Sequence, residues 1–349
     1  MKLAILGLPQ SGKKTLFTLL VGRAIPPGHS ETEPLDGIAP IRDPRVDILA
    51  EMTKPEKTTY AENTVVLCPD IKQGSDKREW LDAARRCDLL CVIVRDFASE
   101  EVYHPSGSVN ASRDRANLAT EFLLTDLMLV ETRLQRIEKE KRAGQTTAQV
   151  TEQKILLKCK ETLESEKPVR DAGLEPHELA AIRSLEFLTL KPILWVYNVD
   201  EAKLGSETRR HDDEKDGGFV VSCRIEKEVM ALSENSERLA FMNELGLNSL
   251  GPDRLNNAAY DAMGLMSFYT IGPDEARAWT IRKGTLAPAA AGKVHTDIER
   301  GFIRAEVIKY DDLIKLGSEK AVKEAGKAQL KGKDYIFEDG DICHFRFNV

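Results

Sequence analysis

One short stretch limits the fold more than any other: KLAIL at residues 2–6 runs straight into GLPQSGKKT at 7–15. A buried strand, a glycine loop and then a helix is the setting in which G-x-x-x-x-G-K binds phosphate. Gly7 and Gly12 allow the tight wrap, backbone N–H groups and the helix N-terminus face the anion, and Lys13 reaches the outer phosphates. The expected phosphate-binding residues are therefore Gln10, Ser11, Gly12, Lys13, Lys14 and Thr15. Lys14 departs from the motif, because it stands where a serine or threonine would hold Mg²⁺. An ammonium cannot ligate a cation. It either replaces part of the metal's charge beside a polyphosphate or points into solvent, and Mg²⁺ is left open as a cofactor.

The apolar runs place the loop in an α/β domain. TVVLC (64–68), LLCVIV (89–94), ILWVY (193–197) and FVVSC (219–223) are continuous rather than alternating. Such runs are typical of a parallel sheet covered on both faces. A long helical stretch interrupts them. Leu123, Leu127, Val130, Leu134 and Ile137 recur at heptad spacing, with Gly144 near a turn and Leu156, Cys159 and Leu163 on a return helix. This reads as a helical hairpin arm whose stripe packs internally. A third helix starts after Pro176 and runs through Leu179, Ile182 and Leu185. From about Leu265 the texture changes to short β-like runs with a helical piece around 311–326, the pattern of a small α+β module. The expected organisation is a first part of the α/β domain at 1–117, the inserted arm at 118–190, a second part of the α/β domain at 191–264 and a C-terminal module at 265–349.

Two further elements belong with the loop. An aspartate at a strand's end, as D-x-x-G, is met by Asp70, but Gln73 holds the glycine position and Gly74 comes one residue late. GTPases recognise the base with N-K-x-D after a strand. Here ILWVY leads into Asn198, Val199, Asp200 and Glu201: the asparagine fits, valine replaces lysine, and the acid is a methylene longer. Asn198, Val199 and Glu201, with Ser222 at the end of FVVSC, complete the expected nucleotide-binding set.

Composition narrows the class. A net charge of −7 argues against strong nonspecific nucleic-acid binding, although a local basic patch stays open in the lysines between 315 and 333. No apolar run approaches the roughly 20 residues of a membrane span. The six cysteines are scattered without C-x-x-C spacing, which points to reduced thiols in a cytoplasmic protein rather than to zinc. No Ser/His/Asp or Cys/His arrangement stands out, and no catalytic residue is assigned.

Together these residues resemble the YchF / Obg-like ATPase family. The resemblance rests on NVDE in place of N-K-x-D, DPRVDILAEMTKPEKTTY after the loop and LQRIEKEKRAG in the arm. It is most specific in RAWTIRKGTLAPAAAGKVHTDIERGFIRAEVI and KEAGKAQLKGKDYIFEDGDICHFRFNV, and it covers essentially the whole chain. It implies an α/β P-loop NTPase (G-domain) sheet, an inserted coiled-coil arm and a C-terminal β-grasp (TGS) domain. It also implies ATP or GTP as ligand, ATP at least as well as GTP, and a ribosome or RNA partner in translation and stress responses. This sequence departs from the family pattern at Lys14. Glu31 stands where the family has a first-switch threonine, although Thr32 is adjacent. No glycine lies between Gly74 and Cys87 in the second switch, and Val92 replaces a histidine in the strand before V-V-R. The expectation is a monomeric, purine-nucleotide-binding regulatory protein with weak or no hydrolysis. The alternative is a nucleotide-free adaptor that binds a ribosome or protein partner through the TGS domain and the arm.

Overall fold

The structure, a computed structural model, describes residues 1–72, 74, 77–140, 146–204, 218–247 and 249–348. Its strands are β1 (Lys2–Gly7), β2 (Leu35–Ile41), β3 (Lys57–Thr59), β4 (Ala61–Leu67), β5 (Leu89–Asp96), β6 (Ile193–Val199), β7 (Phe219–Val221), β8 (Leu265–Ile271), β9 (Glu275–Arg282), β10 (Phe302–Lys309), β11 (Gln329–Lys331) and β12 (Asp341–Phe347). The helices of at least five residues begin with α1 (Lys13–Val21), α2 (Pro44–Thr53), α3 (Leu81–Arg85), α4 (Ala111–Glu140), α5 (Thr147–Glu164), α6 (Pro176–Ile182), α7 (Cys223–Ala231), α8 (Asn235–Glu244) and α9 (Gly251–Ala262). They end with α10 (Ala287–Val294), α11 (Thr296–Arg300), α12 (Tyr310–Leu316) and α13 (Glu319–Glu324).

The chain divides into two compact units, one of Met1–Gly37 and Thr64–Pro252, the other of Ile38–Asn63 and Asp253–Val349. The first is built on a six-stranded sheet in the order β2-β4-β1-β5-β6-β7. β1 pairs in parallel with β4 and β5, β5 with β6, and β6 with β7. Seven of the eight residues of β5 are buried in an unbroken run, as a strand covered on both faces requires. The parallel pairing puts the C-terminal ends of β1, β4 and β6 on one edge, where Gly7 ends β1, Cys68 follows β4 and Asn198 is the penultimate residue of β6.

The arm follows from its stripe. Val130 and Ile137 of α4 are fully buried against Ile155, Leu156, Cys159 and Leu163 of α5, with Leu123, Leu127 and Leu134 packed alongside. Thr146 starts α5 with a capping box to Gln149. Asp126 closes the base of the arm: its carboxylate, with no exposed surface, accepts from the Leu188 and Thr189 N–H groups and the Thr189 hydroxyl. Burial pushes its carboxyl above the usual range. Gly144 lies outside the described residues.

The second unit carries a six-stranded mixed sheet in the order β11-β10-β12-β8-β9-β3. β10 is antiparallel to β11 and β12, β12 is parallel to β8, and β8 is antiparallel to β9. Ala287, Ala290 and Ala291 of α10 lie on its core with Met266, Phe268, Phe302, Val307 and Phe337. Small residues let the helix approach the sheet closely.

The segment 38–63 lies in the second unit, where β3 pairs in parallel with β9 and Tyr269 Oη donates to Asp43 at 2.5 Å. Two local expectations change. The helix after Pro176 stops at Ile182, and Arg183–Leu185 forms a 3₁₀ turn closed by Glu186 in the left-handed region. The helical piece at 311–326 is two helices, parted where Gly317 takes φ 78°. β2 escaped the sequence reading because Gly37 and Pro40 suppress a strand pattern; an edge strand tolerates both.

Candidate nucleotide site

The loop between β1 and α1 is held by close approach. A Cβ on Gly7 would lie 2.5 Å from Ile93 O, so only glycine lets the end of β1 sit this near β5. Gln10 takes φ 60°, a left-handed conformation that costs a non-glycine residue of order 1 kcal/mol or more and clusters at ligand-binding turns. Gly12 caps α1 at φ 102°, where a Cβ would meet Asn198 Nδ2 at 2.4 Å.

Asn198 is the brace. Its Nδ2 donates to Ser11 O at 3.1 Å and its Oδ1 accepts from the Cys223 N–H at 3.0 Å, so one amide ties the phosphate loop to the start of α7. It is 5% exposed. Ser222, buried, precedes α7, and its carbonyl accepts from the Glu226 N–H. Val199 packs into the main core. Glu201 is exposed at the head of a short 3₁₀ turn. Asp200 accepts from the Ala98 N–H at 3.0 Å and Lys203 bonds Asp96 at 2.9 Å, fastening the loops after β5 and β6 to each other.

The two lysines have different surroundings. Lys13 is 5% exposed, and its Nζ lies 2.5 Å from Asp70 Oδ1 and 3.2 Å from Cys68 O. Burial pulls its pKa down although Asp70 acts to raise it. Lys14, half-exposed, bonds Glu31 of the loop before β2. That hydrogen bond and charge hold the Glu31 carboxyl below its usual range. Thr15 is half-buried behind them, and Ser11 is buried with its hydroxyl unpartnered among the described residues. Such an orphan donor costs about 1–3 kcal/mol and could be satisfied by a phosphate oxygen.

A Mg²⁺ ion, which this fold commonly employs, does not fit these residues. The position of its hydroxyl ligand is an ammonium committed to Glu31, and Asp70, the carboxylate that could help hold it, is bound to Lys13. Gln73, expected to replace the glycine that senses a terminal phosphate, lies outside the described residues.

Asp70 and Glu31 are visible as motif positions in the sequence, but their partners are not, since pairing across separate loops leaves no periodic signal. Arg95 carries no sequence signal either. This buried guanidinium donates to the carbonyls of Phe97, Val102 and Tyr103 and shapes the loop after β5. His104 is buried beside Asp114, Nε2 to Oδ2 at 2.9 Å, while its Nδ1 accepts from the Ser106 N–H.

Fold and loop together define a P-loop α/β protein of the G-domain class with a helical arm and a C-terminal domain. Residues 265–348 match the family YchF-GTPase_C, described as a protein of unknown function (DUF933). The chain is 39% identical over 364 residues to "Ribosome-binding ATPase YchF" of Pasteurella multocida, covering all of this chain and 99% of that one. It is 38% identical to the protein of the same name in Bacillus subtilis, over 99% of this chain and 98% of that one. It is 34% identical to "Obg-like ATPase 1" of Caenorhabditis elegans, over 100% and 92% of the two chains. The solved structure of the Schizosaccharomyces pombe YchF GTPase superposes with a TM-score of 0.84 at 29% identity, over 99% of this chain and 97% of that one. The chain belongs to the YchF family.

Proposed function

We propose that this chain binds a purine nucleotide, ATP or GTP, at the loop 7–15 and works as a ribosome-associated regulatory protein that hydrolyses it weakly or not at all. The observation that carries the reading is the buried Lys13 ammonium under a left-handed Gly12, with Asn198 bracing the loop from the base-recognition strand. Gln10, Ser11, Gly12, Lys13, Lys14 and Thr15 then surround the phosphates. Asn198 and Ser222 set the wall from which the base is met, Val199 fixes that wall from the core, and Glu201 faces outward beside it. Glu201 is a methylene too long to copy an aspartate's paired acceptance from guanine, so guanine selectivity is weak. The names of the relatives, ribosome-binding ATPases, support both nucleotide and ribosome as partners.

Weak hydrolysis rests on Lys14, Gln73 and Val92, which stand where the family resemblance expects the metal ligand, the glycine that senses the terminal phosphate and a histidine. Phosphoryl transfer depends on positioning and charge stabilisation, and a site without its metal hydroxyl loses both. Calorimetric titration of ATP and GTP into the wild type and Lys13→Ala tests binding. Wild-type affinity that Lys13→Ala leaves intact would refute the site. Co-sedimentation with ribosomes, with and without nucleotide, tests the partner.

One observation favours a second reading. Both lysines are already paired with carboxylates, Lys13 with Asp70 and Lys14 with Glu31, as a nucleotide-free adaptor would have them. Failure of either nucleotide to bind at millimolar concentration, with ribosome binding intact, would select it. The domain division at 118–190 for the arm and 265–349 for a β-grasp (TGS) module, a monomeric state and a cytoplasmic location belong to the same proposal. No helix among the described residues is long and apolar enough to cross a membrane.

A further inference from the structure

Where a nucleotide-binding loop of this kind employs Mg²⁺, the ion joins the phosphate loop to the first switch through the phosphates it bridges. In this chain the two segments are joined directly. Lys14, on the first turn of α1, bonds Glu31, which stands in a turn where the Thr32 N–H donates to Ser30 Oγ at 3.3 Å and the Glu33 N–H to Ser30 O at 3.2 Å. The misfit of this site to Mg²⁺ and this contact have one origin: a cationic side chain occupies the metal-ligand position, and an anionic one pairs with it from the turn before β2.

We propose that the Lys14–Glu31 ion pair does, without a metal, what the divalent ion does elsewhere in this fold, and that the chain takes its nucleotide as the free polyphosphate rather than as the Mg²⁺ complex. The inference rests on the nucleotide-binding reading above. An ammonium has three N–H donors. One goes to Glu31, and two are left for phosphate oxygens, so Lys14 can touch loop and ligand at once. A Mg²⁺-bound nucleotide would bring a second cation against Lys14, and that repulsion offsets what the metal contributes. As an exposed pair the contact adds little to stability. Its role is to place the turn at 30–33 against the phosphates.

The test is calorimetric titration of ATP and of GTP into the full chain, in EDTA and in excess Mg²⁺, with wild type, Lys14→Ser and Lys13→Ala. Wild-type affinity in EDTA is expected to equal or exceed that in Mg²⁺, within about tenfold. Lys14→Ser, with a hydroxyl restored, should lose EDTA affinity and gain at least about tenfold on addition of Mg²⁺. In the nucleotide-free chain, Glu31→Gln should speed amide exchange at Thr32 and Glu33 about two- to fivefold. Wild type that binds only with Mg²⁺, with binding abolished by Lys13→Ala, overturns the inference while the nucleotide reading stands. Unchanged exchange in Glu31→Gln overturns the claim that the pair places the turn. If the wild type binds neither nucleotide in either buffer, the nucleotide reading falls and takes the inference with it.

Discussion

Gly12 and Asn198 hold each other in place, and a double-mutant cycle measures how tightly. Asn198→Ala removes a donor from Ser11 O and an acceptor from the Cys223 N–H at a site 5% exposed. Each buried group left unpaired costs about 1–3 kcal/mol, and relaxation keeps the total in the lower half of the sum, ~2–4 kcal/mol. Gly12→Ala adds two costs: φ 102° is a conformation that alanine enters at ~1–3 kcal/mol, and its Cβ would lie 2.4 Å from Asn198 Nδ2. In the Asn198→Ala background the second cost disappears, because the atom it meets is gone. Gly12→Ala should therefore be less destabilising there, by about 1–2 kcal/mol. The assay is urea unfolding followed by tryptophan fluorescence. Trp80 and Trp195 lie in the core of the first unit, and a Trp279→Phe background removes the signal of the second. Each unit is fitted with its own transition, since a two-unit chain need not unfold in one step. Costs that add to within about 0.5 kcal/mol would refute the argument: the amide would then not be what forbids a side chain at residue 12.

Other consequences are open to direct measurement. Burial holds the Lys13 pKa below its ordinary 10.5, so between the folded value and 10.5 the unfolded chain binds more protons and stability rises with pH. Urea midpoints of the first unit should climb on that alkaline limb in the wild type and flatten in Lys13→Met; equally steep curves would remove the premise. Arg45 bonds Asp339 at 2.6 Å and Asp43 at 3.0 Å and lies over the Tyr269 ring. Arg45→Ala should lower the stability of the second unit by about 1–3 kcal/mol, discounted for an arginine one-third exposed, as read by Trp279 fluorescence; a loss under about 0.5 kcal/mol would assign the cluster no structural role. Steady-state ATP and GTP turnover should match that of Lys13→Ala, and a turnover that Lys13→Ala abolishes would show that the site is catalytic after all.

The fold class and the course of the phosphate loop are legible in the order of residues along the chain, for a local reason. KLAIL ending at Gly7, the continuous apolar runs of β4 to β7 and the heptad stripe of α4 are each signals within one segment, and burial followed them. The loop's shape was also local, because Gly12 is a residue that φ 102° can accept. The remaining features depend on pairs far apart in the chain. Asp70 was legible as a motif residue, but not as the partner of a buried Lys13; Glu31 was legible as a lost threonine, but not as the partner of Lys14. Asn198 was legible as a base-recognition residue, yet its amide braces Ser11 and Cys223. The segment 38–63 is held in the second unit through β3 and Asp43. In each case the deciding free energy lies in a contact between charges or hydrogen-bonding groups tens to hundreds of residues apart, which no window of neighbouring residues encodes.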